Sequence, residues 1–258
     1  MHPFATIAIR AARAAGNIIT RNLNHLDSLV VDTKRERDFV SKVDRDAEQE
    51  IIKIIHRSYP DHGIIAEESG TQGASNTQWI IDPLDGTTNF LHGFPQFSVS
   101  IAVRQNDKLE VGVVYDPILQ ELYVAVRGAG ATLNDRKIRV SKNSKLDHCL
   151  IGTGFPYLKH HDYDEYMQVL KNIMLHTAGI RRPGSAALDL SYVAAGRFDG
   201  FWENSLNLWD IAAGVLLIQE AGGISSDLSG GQDHLKTGDI VAGNPKVHPE
   251  LLRLIREA

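Results

Sequence analysis

The chain has 258 residues, 43% of them hydrophobic and 23% charged, enough to bury a sizeable core as one large domain or two closely packed lobes. Its formal net charge of −5 leaves no overall basic excess to neutralise phosphates, which argues against a dedicated nucleic-acid binder. With one cysteine there is no intramolecular disulfide, which fits a reducing cytoplasm, and no apolar run approaches the roughly 18 residues of a membrane span.

The first segment, FATIAIRAARAAGNIITRNL, carries three arginines and no acid before Asp27, and so superficially resembles a transit peptide. It reads instead as a retained helix with Phe4, Ile7, Ala8, Ala11, Ala15 and Ile18 on its apolar face. A polar stretch, 32–38, follows; Lys34 to Arg37 forms one small basic patch and Arg181-Arg182 another, both read as solvated surface or a single anion contact. Ser41 is a candidate N-cap with Asp44 in the first turn of a helix whose stripe is Ala47, Ile51, Ile54 and Ile55. Tyr59-Pro60-Asp61-His62-Gly63 ends that helix. GIIAEE reads as a short strand ending in Glu67 and Glu68, SGTQGASNT as a polar connection, and WIIDPLDG as the next strand and turn.

FSVSIAVRQ, KLEVGVVYDP and QELYVAVRG are rich in valine and aromatics with turn residues between them, and GAGATLNDRKIRV continues as a hairpin. This antiparallel block predicts an α+β fold rather than a doubly wound parallel sheet. Beyond it come a strand near Leu150 containing a buried, inert Cys149, a helix over 163–176, a helix in GSAALDLSYVAAG, a strand in FDGFWEN, a buried helix in WDIAAGVLLIQEAGG and a closing helix in HPELLRLIREA. His160-His161 reads as a loop pair. The chain is read as a single unit over 1–258, with an N-terminal lobe 1–145 and a C-terminal lobe 146–258.

Chemistry concentrates in DPLDGTT. Asp-Pro and Asp-Gly are turn signals, so DPLDG alone is equally a plain turn. Gly86-Thr87-Thr88, however, offers backbone N–H groups, and a helix beginning there adds its positive end, which suits phosphate. Two acids beside a phosphate site repel it unless cations stand between, and Mg²⁺ takes one or two carboxylates plus phosphate oxygens. A two-metal site needs further acids. Glu67 and Glu68 are candidates that read equally as surface residues, and strand alternation would point one inward and one outward. Asp210 is a candidate that also reads as a helix N-terminal acid, and Asp44 one that reads more readily as a capping-box acid. Rival signatures (GxGxxG, GxxxxGK[ST], GxSxG, HExxH) are absent from the sequence.

WIIDPLDGTTNFLH (79–92) and WDIAAGVLLIQEAGG (209–223), with EES (67–69) and RRPGSAALDL (181–190) in matching order, resemble the inositol monophosphatases over nearly the whole chain, most closely their SuhB-type bacterial branch. The resemblance implies a layered αβαβα sandwich of the inositol monophosphatase and fructose-1,6-bisphosphatase type, a homodimer, and two or three Mg²⁺ ions with lithium-sensitive activity. It places Glu67, Asp82 and the Leu84 carbonyl on one metal, Asp82, Asp85 and Asp210 on a second, and a weaker third near Glu67. It gives phosphate contacts to Gly86 and Thr87, the attacking water to Asp44 and Thr87, and the alcohol pocket to Gly184, Ser185, Ala186, Glu203 and Asp210. The family commonly has glycine two residues after Glu203, where this chain has Ser205. The implied activity is hydrolysis of inositol monophosphate. Fructose 1,6-bisphosphate, NADP and 3′-phosphoadenosine 5′-phosphate are alternative substrates. A role in ribosomal RNA transcription antitermination, through protein partners rather than direct nucleic-acid contact, is an alternative of another class.

Overall fold

A computed structural model describes residues 2–28, 31–35, 38–156 and 163–258, and the elements named here are those among the described residues. The expected first helix is α1 (Pro3–Asn22), its N-terminus closed by His2 and its buried stripe made of Ala5, Ile7, Ala8, Ala11, Ala12, Ala15 and Ile19. The stretch read as merely polar contains two short paired strands, β1 (Val31–Arg35) and β2 (Asp38–Ser41). Helix α2 (Lys42–Ser58) begins at Ser41 in a capping box with Asp44, as the Ser-x-x-Asp spacing predicts.

Strands β3 (Gly63–Ala66), β4 (Gly70–Gln72), β5 (Thr77–Asp85), β6 (Ser98–Gln105), β7 (Lys108–Asp116), β8 (Glu121–Val126), β9 (Gly130–Leu133) and β10 (Arg136–Lys137) form one sheet, in the order β10-β9-β8-β7-β6-β5-β3-β4. The antiparallel block is present as expected, joined to a single parallel pair, β3 with β5. Two expectations need correction. Strand β3 stops at Ala66, so Glu67 and Glu68 lie in a turn and strand alternation does not govern them. The connection after them is not structureless, because Gly70–Gln72 turns back to pair with β3.

Short helix α3 (Thr87–Leu91) follows β5. The second half adds β11 (Leu150–Thr153), α4 (Tyr163–His176), β12 (Gly179–Arg181), α5 (Ala186–Ala194), β13 (Gly200–Glu203), α6 (Leu208–Glu220), β14 (Ile224–Ser226), α7 (His234–Thr237), β15 (Ile240–Gly243) and α8 (Val247–Arg256). Its strands make a five-stranded mixed sheet in the order β12-β11-β13-β15-β14. Cys149 is buried beside β11 and its thiol donates to the Lys145 carbonyl. His160-His161, and the Glu36 and Arg37 part of the first basic patch, lie outside the described residues.

The layers follow from side-chain alternation. Trp79, Ile81, Ile101, Val103, Val111 and Val113 face α1 and α2, while Ile80, Ala102 and Val114 face α5 and α6. Phe201, Ile240 and Ala242 of the smaller sheet close on α5 and α6 from the other side. Ile151, Trp202 and Val241 face outward against α4 and α8. The result is helices, sheet, helices, sheet, helices: the five-layered αβαβα sandwich. Helices α5 and α6 are apolar all round because both their faces are covered.

Helix α6 lies close enough to β7 that a Cβ on Gly112 would stand 2.7 Å from the Ala213 carbonyl oxygen and 3.1 Å from its Cα. Backbone on both sides cannot yield by a rotamer change, so the helix itself must move. Gly112→Ala is expected to destabilise the protein by about 1–3 kcal/mol, lowering the melting temperature in calorimetry and displacing Asp210 at the start of α6.

Candidate functional site

Proline in a central strand deletes a ladder hydrogen bond and is tolerated only at a bulge. Pro83 sits in β5, well inside the larger sheet, and the β5–β6 register slips between Asp82 and Asp85 at that point. The slip keeps Asp82 and Asp85 on the strand while the chain breaks off into Gly86. There φ is 97°, a left-handed value that glycine adopts at no steric cost, and a Cβ would sit 2.9 Å from the Gln96 carbonyl. Thr87 then opens α3. The N–H groups at a helix start have no acceptor within the helix.

Around this corner the acids gather. Asp82 is buried, and its Oδ1 accepts the Leu84 N–H at 2.9 Å. Asp85, half-buried, takes the Ser185 hydroxyl at 2.6 Å and the Ala187 N–H at 2.8 Å on its Oδ2. Asp210, in the first turn of α6, takes the Asn207 N–H at 2.6 Å on its own Oδ2. Glu67 comes from the turn after β3, beside β5, where its N–H donates to the Ile81 carbonyl at 3.2 Å. The charges act on one another. Burial, then Glu67, Asp85 and Asp210, push the Asp82 carboxyl well above the usual carboxylate range. Burial, then Asp85, and further on Glu67 and Glu203, do the same to Asp210, against the pull of the Asn207 N–H. Asp85 is pushed up to about 6 by burial, with the Ser185 and Ala187 donors opposing and Glu67 adding to the rise.

A second shell of polar contacts surrounds this set. Thr87 Oγ1 lies 2.9 Å from Asp44 Oδ1 and 3.0 Å from the Leu84 carbonyl, so its one proton serves either acceptor. Asp44 Oδ2 accepts the Ser41 N–H at 2.9 Å and hydroxyl at 2.6 Å. Asp44 is therefore the capping acid of α2 and a partner of Thr87 at once. Asp210 is likewise both a helix-terminal acid and a member of the acid group. Ser185 and Ala186 are buried, and the Ser185 hydroxyl is spent on Asp85. Gly184 lies against Asn89, whose amide nitrogen is 2.7 Å from the Gln96 carbonyl, 2.9 Å from that of Pro183 and 3.3 Å from that of Gly184. At the end of β13, burial pushes Glu203 up to about 8, with Arg182 opposing and Asp85 adding to the rise.

Two contributors were not picked out from the sequence. Asp189 is buried in α5, and burial with the charges of Glu203 and Asp85 holds its carboxyl well above the ordinary range while Arg182 opposes. The available signal was a lone acid in an otherwise apolar helix, four residues after Ser185. Asn89 had no signal at all, because its acceptors lie mostly in a loop almost a hundred residues away.

The donor set suits a hard divalent cation. In Asp82, Asp85 and Asp210 one oxygen takes the hydrogen bonds seen among the described residues, which leaves the other for a ligand. Carboxylates and a backbone carbonyl are the ligands of Mg²⁺, Ca²⁺ or Mn²⁺ rather than of softer metals. A cation would relieve the repulsion that raises these carboxyls. Among the described residues no three such side chains already close into a ready-made metal cage; the acids sense one another through charge.

The family model described as the inositol monophosphatase family matches residues 1–258. A putative Nus factor SuhB of Neisseria meningitidis serogroup B is 51% identical over 99% of this chain and 98% of its own length. The crystal structure of the extragenic suppressor protein SuhB from Bartonella henselae is 44% identical, covers 100% of both chains and superposes with a TM-score of 0.97. An inositol monophosphatase from Anabaena is 39% identical over 99% of this chain and 96% of its own, with a TM-score of 0.87.

Two tests follow from the geometry. A carboxyl raised in the folded state binds a proton that the unfolded chain has released, so its contribution to stability is present at low pH and is lost as pH rises. For Glu203 the window runs from its ordinary value, roughly 4.3, to about 8. In EDTA, Glu203→Gln is expected to gain melting temperature relative to the wild type as pH rises through that window; a constant difference would contradict the shift. The serine that stands where glycine is common has φ 59°, while its N–H donates to Asp239 at 2.9 Å. A left-handed L-residue costs about 1–2 kcal/mol, and glycine returns about 0.5–1 of that in chain entropy. Ser205→Gly should therefore raise the melting temperature by roughly 1–4 °C in a protein of this size.

Proposed function

Because the chain belongs to the inositol monophosphatase family, we propose that it is a Mg²⁺-dependent phosphomonoesterase that releases phosphate from an inositol monophosphate. The observation that carries this reading is the mutual electrostatic frustration of Glu67, Asp82, Asp85 and Asp210 around the start of α3. Such an arrangement is costly in the folded protein unless cations neutralise it. Glu67, Asp82, Asp85 and Asp210, with the Leu84 carbonyl, are the residues that would hold two or three Mg²⁺ ions. Bound there, Mg²⁺ supplies a water of lowered pKa and neutralises charge on the phosphoryl oxygens.

The chain's own residues supply position. The N–H groups of Gly86 and Thr87 hold phosphate oxygens at the start of α3. Thr87, donating a hydrogen bond to Asp44, keeps its lone pairs to accept a hydrogen bond from the attacking water and so aims the water oxygen at phosphorus. Asp44 is fixed by Ser41 and does not swing away. In-line phosphoryl transfer needs little covalent chemistry from the protein, so no side chain becomes phosphorylated. On the far side of the phosphorus, Glu203 accepts hydroxyls of the polyol, beside Arg182, Gly184 and Asp210. Ser185 and Ala186 support this side from beneath: Ser185 fixes Asp85, and Ala186 presents backbone. A homodimer in the cytoplasm is part of the same reading.

A second role rests on the name of a close relative, a putative Nus factor: a surface for protein partners of the transcription machinery, independent of the acids.

Phosphate release from inositol 1-phosphate, fructose 1,6-bisphosphate, NADP and 3′-phosphoadenosine 5′-phosphate, each with Mg²⁺, EDTA or added Li⁺, tests the first reading. The expected result is Mg²⁺-dependent, Li⁺-sensitive turnover of the inositol ester. Asp210→Asn should lower it by more than the roughly 10–100-fold typical of an outer-shell change. The same variant should still capture Nus factors and RNA polymerase if the second role is independent. Turnover of none of the four esters by folded protein would overturn the phosphatase reading.

A further inference from the structure

Helix α2 contributes two buried acids one turn apart, Asp44 and Glu48. Residues four apart on a helix share a face. Asp44 is accounted for by Ser41 and Thr87. Glu48 has no part in the chemistry derived above, yet it is only 3% exposed. Its two carboxylate oxygens have separate duties. Oε2 accepts the backbone N–H of Glu68 at 2.8 Å, and Oε1 accepts that of Ser69 at 2.9 Å. These are the two peptide groups directly after Glu67.

Glu67 is the one member of the acid group that stands on a turn; Asp82 and Asp85 lie in a strand and Asp210 in a helix. A turn gives less positional precision than regular structure. On its N-terminal side the turn is fixed by the Glu67 N–H bond to Ile81. On its C-terminal side it is fixed by Glu48. Charge-assisted bonds from backbone N–H to a buried carboxylate are about twice as strong as neutral ones.

We infer that Glu48 is a positioning residue for the metal site: its carboxylate clamps the Glu68 and Ser69 N–H groups and thereby sets where the Glu67 carboxylate stands. The inference rests on reading the acid group as a divalent-metal site. Both oxygens of Glu48 are engaged by backbone N–H groups, so its role is exerted through the turn. The neutral amide of glutamine keeps one acceptor but turns an NH₂ donor against the other N–H, so Glu48→Gln loosens the turn without changing the size of the side chain.

The test is Mn²⁺ binding to the full chain, followed by the electron paramagnetic resonance of the free ion, with no substrate present. Glu48→Gln is expected to bind Mn²⁺ about 10–100-fold more weakly than the wild type, the usual effect of losing an outer-shell partner. Glu48→Asp, which keeps the charge and both oxygens on a shorter stem, guards against loss of the fold and should fall between the two. Melting curves with and without Mn²⁺ separate positioning from bulk stability. A positioning role makes the gap between wild type and Glu48→Gln widen when Mn²⁺ is added, because the wild type gains more from binding. A gap that is the same in both conditions, with equal Mn²⁺ affinity, overturns the inference. A wild type that binds no Mn²⁺ overturns the metal reading itself, a failure visible before any variant is compared.

Discussion

Like charges crowded into one depression repel, and the fold has to hold them there regardless. Asp82, Asp85, Asp210 and Glu67 each raise, or are raised by, the carboxyls of the others. What keeps them in place is a set of backbone and hydroxyl donors: the Leu84 N–H for Asp82, the Ser185 hydroxyl and the Ala187 N–H for Asp85, the Asn207 N–H for Asp210. The donors to Asp85 and Asp210 belong to the starts of α5 and α6, and the Leu84 N–H is freed by the register slip in β5; at such places N–H groups lack partners in regular structure. The need to place acids and the need to satisfy helix termini are met by the same bonds. The layered sandwich matters because it brings the starts of α3, α5 and α6 to one corner of the larger sheet.

That double use explains why the individual acids were ambiguous in the sequence. Asp44 and Asp210 each read as a helix-capping residue or as a site residue; in the structure each caps its helix and also faces the acid group or its hydroxyl partner Thr87. A capping acid has a fixed backbone position, a fixed rotamer and one oxygen committed, which is also what a preorganised ligand or proton acceptor requires. The structural and the chemical reading of such a residue differ only in what the second oxygen does.

Much of the fold was legible. The α1 stripe, the Ser41 cap, the valine-rich meander and helices α4, α5, α6 and α8 follow from periodicity and capping chemistry that act over a few residues. The errors share a cause. Strand β3 ends two residues short of the run GIIAEE, because the chain turns back there to pair Gly70 with Ala66, and the turn is bonded to Glu48, 20 residues distant from Glu68 in the chain. Strand β4 was missed because Gly70-Thr71-Gln72 has no strand-like composition and pairs only because the turn before it is fixed. The acids themselves were found through motif residues, whereas Asn89 and Asp189 take their roles from contacts across the fold. Ser205 was marked as a departure from the family's glycine. The physical meaning of that departure, a left-handed backbone, became visible only in three dimensions.

The bond from Ser185 to Asp85 spans 100 residues of chain, and those from Asn89 to the loop before α5 span 94 and 95. A nascent chain growing from its N-terminus therefore exposes Glu67, Asp82 and Asp85 long before the partners that hold Asp85 exist, and before Asp210 arrives. Until then those acids stay solvated, and water screens their repulsion. The charged corner closes only as the last third of the polypeptide docks, so the arrangement that would hold a cation is complete at the end of biosynthesis rather than at its beginning. A ribosome-stalled fragment ending before α5 would accordingly leave Ile80, Ala102 and Val114 of the larger sheet uncovered and its acids without their partners, which makes the completed corner a natural checkpoint on whether the whole chain has been made.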